Sequence, residues 1–478
     1  MLQIRIFDFL AKNWKLKGNE NMTNNWLQSI IESMRTSHLL RGLLIGFLIL
    51  LLLIPIKMIG NVIWEREEAR NKAVREVTSS WGGNQSFVGP WITVPYLHHW
   101  TEKQTSGNRV ESFTHTETRY ATFLPETLNI TGTTASQIRY RGIFRVPLYT
   151  LYLKVSGSFS KPDFSSWGTS ADDILWSQAI LALGVTDSKG ITEQTVLNWN
   201  KDELGFHPGS GESNGERPGV HVPLGGTLDG ESFDFSFPMT INGSDFVFFT
   251  PFGRETDIEL TSDWSDPSFK GNWLPTSHTV NNEGFKAKWS IPFLGRNYPQ
   301  QWRTGAKFIG AIDTSHFGVK FLVPIDNYRM GHRSVKYAVL FMVLSFVTLW
   351  LFEILSGIRI YPIQYLLLGA GMCVFYLLEL SLAEHVGFVT AYIIASAAVV
   401  GLIGVYSAVV LKSRQKASIV ALIMAILYGY LYILLRSQDY ALLIGSIGLF
   451  VVIATIMYLT RKTNWHESEI QPEACTDL

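Results

Sequence analysis

The chain has 478 residues, a formal net charge of zero, and aromatic residues at 13%. A neutral balance with no stripe of Lys and Arg excludes nucleic acid as an expected partner, since that binding needs clustered cations facing phosphates. The two cysteines, Cys373 and Cys475, both lie outside the long polar middle, so no disulfide framework holds that part together.

Mean hydropathy near zero hides two unlike parts, a polar middle and a very apolar C-terminal block. Residues 1–38 form a polar, partly amphipathic leader (WLQSIIESMRTSHLLR) that fits a helix lying on the cytoplasmic surface; Met22 is an alternative start. The first apolar run, Leu39 to about Ile59 within residues 39–60, is longer than a signal-peptide core. It runs into Lys57, Met58 and IGNVIWEREEAR with no A-x-A site, so an uncleaved membrane anchor is predicted.

Residues 61–80 (NVIWEREEARNKAVREVTSS) lack Gly and Pro. Ala69, Ala73, Val74 and Val77 recur at helical spacing, and Glu68 and Lys72 form an i,i+4 pair. The spacing predicts a helical stalk that continues the anchor and stops at Trp81-Gly82-Gly83.

From Phe87 the pattern turns strand-like, with aromatic and β-branched runs broken by Gly, Pro and Asn. Period-two alternation is clearest in Leu151-Tyr-Leu-Lys-Val-Ser and Phe233-Asp-Phe-Ser-Phe. Turns at about 8–12 residue intervals predict antiparallel sandwiches. Residues 170–184 read either as a helix capped by Ser170, or as a strand ILALGV entering a hairpin at DSKG. The Gly/Pro/Ser-rich loop His207–Gly219 is the expected break between two sub-domains, and Trp264–Arg303 is expected to form packed loops and strands.

Five apolar runs follow within residues 337–460: Tyr337–Leu355, Ile363–Leu382, Phe388–Leu411, Ala417–Leu435 and Ala441–Leu459. Each approaches the ~20 apolar residues a helix needs to cross the bilayer, and helices alone satisfy every backbone group there without closing a barrel. Hinges this short make the helices antiparallel neighbours. Basic residues set the orientation. Lys12, Lys15, Lys17, Arg35 and Arg41 precede the anchor, Lys412, Arg414 and Lys416 lie between the fourth and fifth runs, and Arg461 and Lys462 follow the last. Six spans place these clusters and Arg359 on one side, hence both termini are expected in the cytoplasm and the polar middle (61–336) outside. Hinges at Ala383–Gly387 and Arg436–Tyr440 then fall on the outer side. A tail, 461–478, remains inside.

Motifs for chemistry are sparse. Gly211-Glu-Ser-Asn-Gly215 matches G-x-S-x-G, but a nucleophile elbow needs a buried strand before it and a helix after it, and here a polar Gly-rich loop lies on both sides. The histidines His98, His99, His115, His207, His221, His278 and His316 show no tight ligand spacing, and neighbours such as His98 and His99 point to opposite faces of a strand. No P-loop, dinucleotide turn or C-x-x-C occurs, so no cofactor and no metal are expected.

The most informative polar residues are in the apolar block. Glu353 lies near the cytoplasmic end of the second span, Glu379 in the outer half of the third, and Glu384 and His385 at the following hinge. An intramembrane carboxylate is costly and normally faces the bundle interior or a water-filled path. One reading makes these four a proton or ligand path. The other has Glu353 reach the interface near Arg359, while Glu379 bonds a neighbouring helix or snorkels outward. Small residues at Gly369-Ala370-Gly371, Gly401, Gly404, Gly445 and Gly448 are expected to allow close helix packing.

EREEARNKAVREVTSSWGGNQSFVGPWITVPY, RYRGIFRVPLY, DPSFKGNWLPT, KAKWSIPFLGRNYPQ and FGVKFLVPIDNYRMGHRSVKYAVLF together resemble the CreD family of bacterial inner-membrane proteins. YPIQYLLLGAGMCVFYLLELSLAEHVGF and DYALLIGSIGLFVVIATIMYLTRKTNW extend the likeness through the bundle. The resemblance covers nearly the whole chain from about Leu39; the long leader is the departure. It implies a multi-pass inner-membrane protein linked to envelope integrity, often under two-component control and sometimes tied to β-lactam or colicin tolerance. It carries over no active site.

The expected fold is a polytopic α-helical membrane protein with six transmembrane helices and a large β-rich, antiparallel sandwich-like periplasmic domain between helices 1 and 2. The expected function is non-enzymatic, with the periplasmic domain contacting an envelope protein or cell-wall component and the bilayer holding the bundle. The alternative is a transporter or membrane-embedded enzyme using Glu353, Glu379, Glu384 and His385. A sensor would need a cytoplasmic output domain, for which the tail is too short.

Overall fold

The computed structural model describes residues 38–106, 109–211, 218–303, 305–306, 308–322, 327–356, 360–437 and 440–461. The leader up to residue 37, most of the G-x-S-x-G loop, Arg359, and the tail from residue 462 lie outside them. Contacts divide the chain into two units, Met1–Glu67 with Ile325–Leu478, and Glu68–Pro324.

Among the described residues, six helices are long and apolar enough to cross a membrane. They are α1 (His38–Trp81), α2 (Asn327–Ser356), α3 (Pro362–Val386), α4 (Phe388–Val410), α5 (Arg414–Arg436) and α6 (Ala441–Thr460). Anchor and stalk form the single helix α1, which runs through Pro55 and Gly60 because the charged stretch 61–80 that follows contains neither Gly nor Pro. It stops where Gly82 takes a positive φ of 147°, a position where a Cβ would run into the carbonyl of Asn242.

Helix α2 starts at Asn327, well before the predicted run at Tyr337, and this polar first part is held by side-chain bonds from Asn327, Tyr328 and Ser334 to residues 379–384. The expected hinge Ala383–Gly387 shrinks to one residue. Helix α3 continues through Val386, and Gly387 at φ 80° makes the whole reversal into α4. Glu384 and His385 therefore sit in the last turn of α3. Ser413 caps α5 by accepting from the amide of Lys416. Close packing is seen at Gly369, against Leu52 and Phe346, at Gly404 beside Ala421, and at Gly448 beneath Tyr430; Gly401 meets nothing.

The β-rich unit contains two mixed sheets. One has the order β13 (Pro267–Gly271), β17 (Phe317–Phe321), β11 (Phe246–Phe249), β1 (Gln85–Ser106), β5 (Ile180–Val185), β9 (Gly219–Pro223) and β8 (His207–Pro208). In the same sheet β2 (Arg109–Phe123) pairs with β1 and with β16 (Gln301–Arg303). The other runs β14 (Ser277–Asn281), β15 (Gly284–Pro292), β12 (Glu255–Ser262), β3 (Thr127–Arg141), β4 (Phe144–Ser160), β10 (Ser232–Ser244), β6 (Val196–Trp199) and β7 (Asp202–Gly205).

Most pairs are antiparallel, as the alternation implied, but β1 with β11 and β3 with β12 are parallel. Each joins strands far apart in sequence, which no local turn signal announces. The alternating strands bury one face. Phe233, Phe235, Phe237, Met239 and Ile241 of β10 lie inside, as do Leu151, Leu153 and Val155 of β4. Trp199, Trp289 and Phe317 join them in one hydrophobic core supplied by both sheets.

That shared core overturns the break expected at His207–Gly219. The loop joins strands β8 and β9 of one sheet, and the chain crosses between sheets on both sides of it. Within residues 170–184 the strand reading of ILALGV holds, as β5, but neither the helix nor the hairpin forms. Two 3-10 turns, Ala171–Asp173 and Trp176–Gln178, lead into β5, which pairs with β1 and β9.

Candidate functional site

Polar side chains inside the bundle make three separate groups. At one end of α1, Arg41 donates to Glu353 of α2 at 2.5 Å. Glu353 is 5% exposed and also accepts from the Tyr365 hydroxyl at 3.0 Å and the Ile360 amide at 3.3 Å. The predicted neighbour Arg359 lies outside the described residues; the partner found is Arg41.

At the other end of α1, Arg66 holds Glu384 of α3 with both prongs of its guanidinium, Nε to Oε1 at 2.7 Å and Nη2 to Oε2 at 2.8 Å. The Tyr328 hydroxyl donates to the same carboxylate at 2.7 Å. Asn327 caps this corner by donating to the Ala383 carbonyl at 2.7 Å, and His332 meets Glu67 at 3.0 Å. His385 is exposed.

Arg41 and Arg66 stand about seven helical turns apart, so they share a face of α1 and lie roughly 37 Å from each other along its axis. That distance slightly exceeds the ~30 Å hydrocarbon core of a bilayer. Two ion pairs thus fasten α1 to α2 and to α3 at opposite ends of the apolar run. The four predicted residues do not converge on a single site, because Glu353 and Glu384 belong to opposite ends.

Glu379 differs from both. It lies about 7 Å along α3 from Glu384, toward the middle of the bundle. It is 2% exposed, and its Oε2 accepts from the Ser334 hydroxyl of α2 at 2.8 Å. Its other oxygen, Oε1, has no hydrogen-bond partner among the described residues. Tyr376 of α3, Tyr392 of α4 and Tyr428 of α5 lie within electrostatic reach of it. Tyr392 uses its hydroxyl on the Tyr428 carbonyl at 2.6 Å. Glu379 is bonded to a neighbouring helix, as one expectation had it, and does not snorkel outward.

Among the described residues, no group of three or more His, Cys, Asp or Glu side chains is placed to hold a metal. In the β-rich unit the histidines have local partners. His99 meets Asp173 at 3.1 Å, His115 meets Glu102 at 3.3 Å, and His221 bonds the Gly209 carbonyl at 2.7 Å. A shallow groove beside Ser136 and Asp263 is also self-satisfied, since Asp263 accepts from both the amide and the hydroxyl of Ser136.

Residue patterning missed Arg41, Arg66, Ser334, Tyr328 and Tyr365. A usable signal was present: two arginines flanking one apolar run at whole-turn spacing mark a single face. Ser334 carried none, because a serine in a polar stretch before a span reads as ordinary surface.

The CreD family profile, described as "Inner membrane protein CreD", matches residues 37–466. Inner membrane protein CreD of Escherichia coli (strain K12) is 33% identical over 421 residues, covering 87% of this chain and 91% of that protein. The span of the match takes in the two arginine clamps, Glu379 and the whole β-rich unit, and on that extent the chain belongs to the CreD family of inner membrane proteins.

Proposed function

We propose that this inner membrane protein supports cell envelope integrity without catalysing a reaction, through a β-rich domain displayed in the periplasm and held by the six-helix membrane part. The observation that carries this reading is the use of the membrane carboxylates. Glu353 and Glu384, which a transport or catalytic path would need free, are each engaged by an arginine of α1 and by a tyrosine hydroxyl. Charges used this way fasten helices and favour an anchor. The fitting partner for the β-rich domain is an envelope protein or cell-wall component, and the bilayer surrounds the apolar helices.

The orientation rests on the basic residues. Lys412, Arg414, Lys416, Arg461 and Lys462 flank the last spans on one side, which supports cytoplasmic termini and a periplasmic domain at about residues 61–336. An impermeant maleimide applied to spheroplasts tests it. A cysteine introduced at exposed Lys161 should label while native Cys475 stays unlabelled, and the reverse pattern would invert the topology.

Function is tested by complementing a deletion strain with a chain in which residues 83–324 are replaced by a flexible linker. Detergent and β-lactam survival should not be rescued even at normal membrane abundance. Rescue by this shortened chain would sink the proposal and favour the second reading, a transporter or membrane-embedded enzyme. That reading now stands on Glu379, whose buried Oε1 has no hydrogen-bond partner among the described residues.

A further inference from the structure

We propose that Glu379 is a proton-binding site inside the bundle, held as the neutral carboxylic acid when the helices are packed. The geometry supplies its own controls. Three glutamates sit on α2 and α3, and two of them receive three donor contacts each, a guanidinium among them. Glu379, the most buried of the three, receives one contact, from a neutral serine hydroxyl. An ionised carboxylate offers about four lone-pair sites, and leaving it buried with one neutral donor is among the costliest arrangements a protein interior can hold. A neutral acid in the same place needs far less.

Hydroxyl groups approach Glu379 from the helices packed against it. Ser334 faces Glu379 from α2, Tyr392 from α4 and Tyr428 from α5, with Tyr376 on α3 itself. The side chain that hydrogen-bonds this carboxylate, Ser334, is neutral. The arginine of α1 at this end of the bundle, Arg66, is held by both oxygens of Glu384, and Arg41 lies at the opposite end of the helix. The ligand of the site is the proton: the acid releases it to leave the carboxylate, and takes one up to return, with no change of oxidation state. Release needs water or a cation brought to Oε1, and therefore movement of α2, α4 or α5 against α3.

The test is infrared spectroscopy of the full chain in lipid vesicles, comparing neutral and strongly alkaline pH in H2O and D2O. The native chain should show the carbonyl stretch of a protonated carboxylic acid at neutral pH, insensitive to added salt. Glu379→Gln should remove that band while keeping normal abundance, because the amide copies the neutral acid; Glu353→Gln and Glu384→Gln should leave it in place. Ser334→Ala removes the one hydrogen bond, so it should move the band to higher frequency without removing it. This second variant settles the matter if Glu379→Gln fails to accumulate. A native chain without the band, or a band that neither Glu379→Gln nor Ser334→Ala changes, overturns the proposal.

Discussion

Replacing Glu384 by glutamine leaves the shape of the side chain but turns one Arg66 contact from attraction to repulsion, since the amide NH2 now faces a guanidinium. Three donors converge on the native carboxylate, two from Arg66 and one from Tyr328. Losing one partner of a fully buried pair costs about 3–5 kcal/mol. Glu384 is 11% exposed and Arg66 is 39% exposed, so solvent discounts the figure to about 2 kcal/mol. Arg66→Ala should cost a similar amount, and the double variant little more than either, giving a coupling energy of about 2 kcal/mol. Reversible unfolding in mixed detergent micelles, followed by tryptophan fluorescence, measures all four corners of the cycle. Additive single effects, with coupling below about 0.5 kcal/mol, would mean that the two side chains do not act as a clamp. The membrane carboxylates would then return as candidates for a working site.

At the opposite end of α1, Tyr365→Phe removes one donor from Glu353 and should cost about 1 kcal/mol in the same titration; a neutral result would place that carboxylate in contact with water. In the β-rich unit, Gln85 is fully buried and its amide donates to the carbonyls of Asp187 and Asn242, tying three segments together. Gln85→Ala removes both donations, although the Asp187 carbonyl keeps the Gly190 amide, and should destabilise this unit by about 1–3 kcal/mol, read as an earlier urea transition. Trp289→Ala empties a fully buried site between Phe269 and Phe317 and should cost about 3–5 kcal/mol on the same scale. Burial pushes the phenols of Tyr149 and Tyr298 above the usual tyrosine range, Tyr149 further under the nearby charge of Asp245. The unfolded chain therefore loses these protons first. Stability from both is complete below about pH 10 and falls as pH rises beyond it, so melting should drop at alkaline pH and Tyr149→Phe should flatten that drop.

The membrane part was legible because its signal is local and long. A run such as Phe388–Leu411 has only one way to satisfy its backbone in lipid, and the structure puts α4 on almost the same residues. Strand periodicity was legible for the same reason in β4 and β10, where alternate residues face the core. A continuous charge-rich stretch after the anchor announced that α1 would run on to Trp81.

Partnership was decided only by tertiary structure. The parallel pairing of β1 with β11 joins Gln85 to Val247, and no turn or spacing between them encodes it. The loop His207–Gly219 has the composition of a domain boundary, yet strands on both sides of it share one core, because burial depends on where the chain returns and not on how flexible a loop is. Glu353, Glu379 and Glu384 look alike in sequence as carboxylates in apolar surroundings. Their roles separate when distant residues arrive: Arg41 lies 312 positions from Glu353, Arg66 lies 318 from Glu384, and for Glu379 the donor is Ser334, 45 positions away. Local sequence sets which backbone form is affordable, whereas the state of a buried charge is set by the donors that folding brings to it.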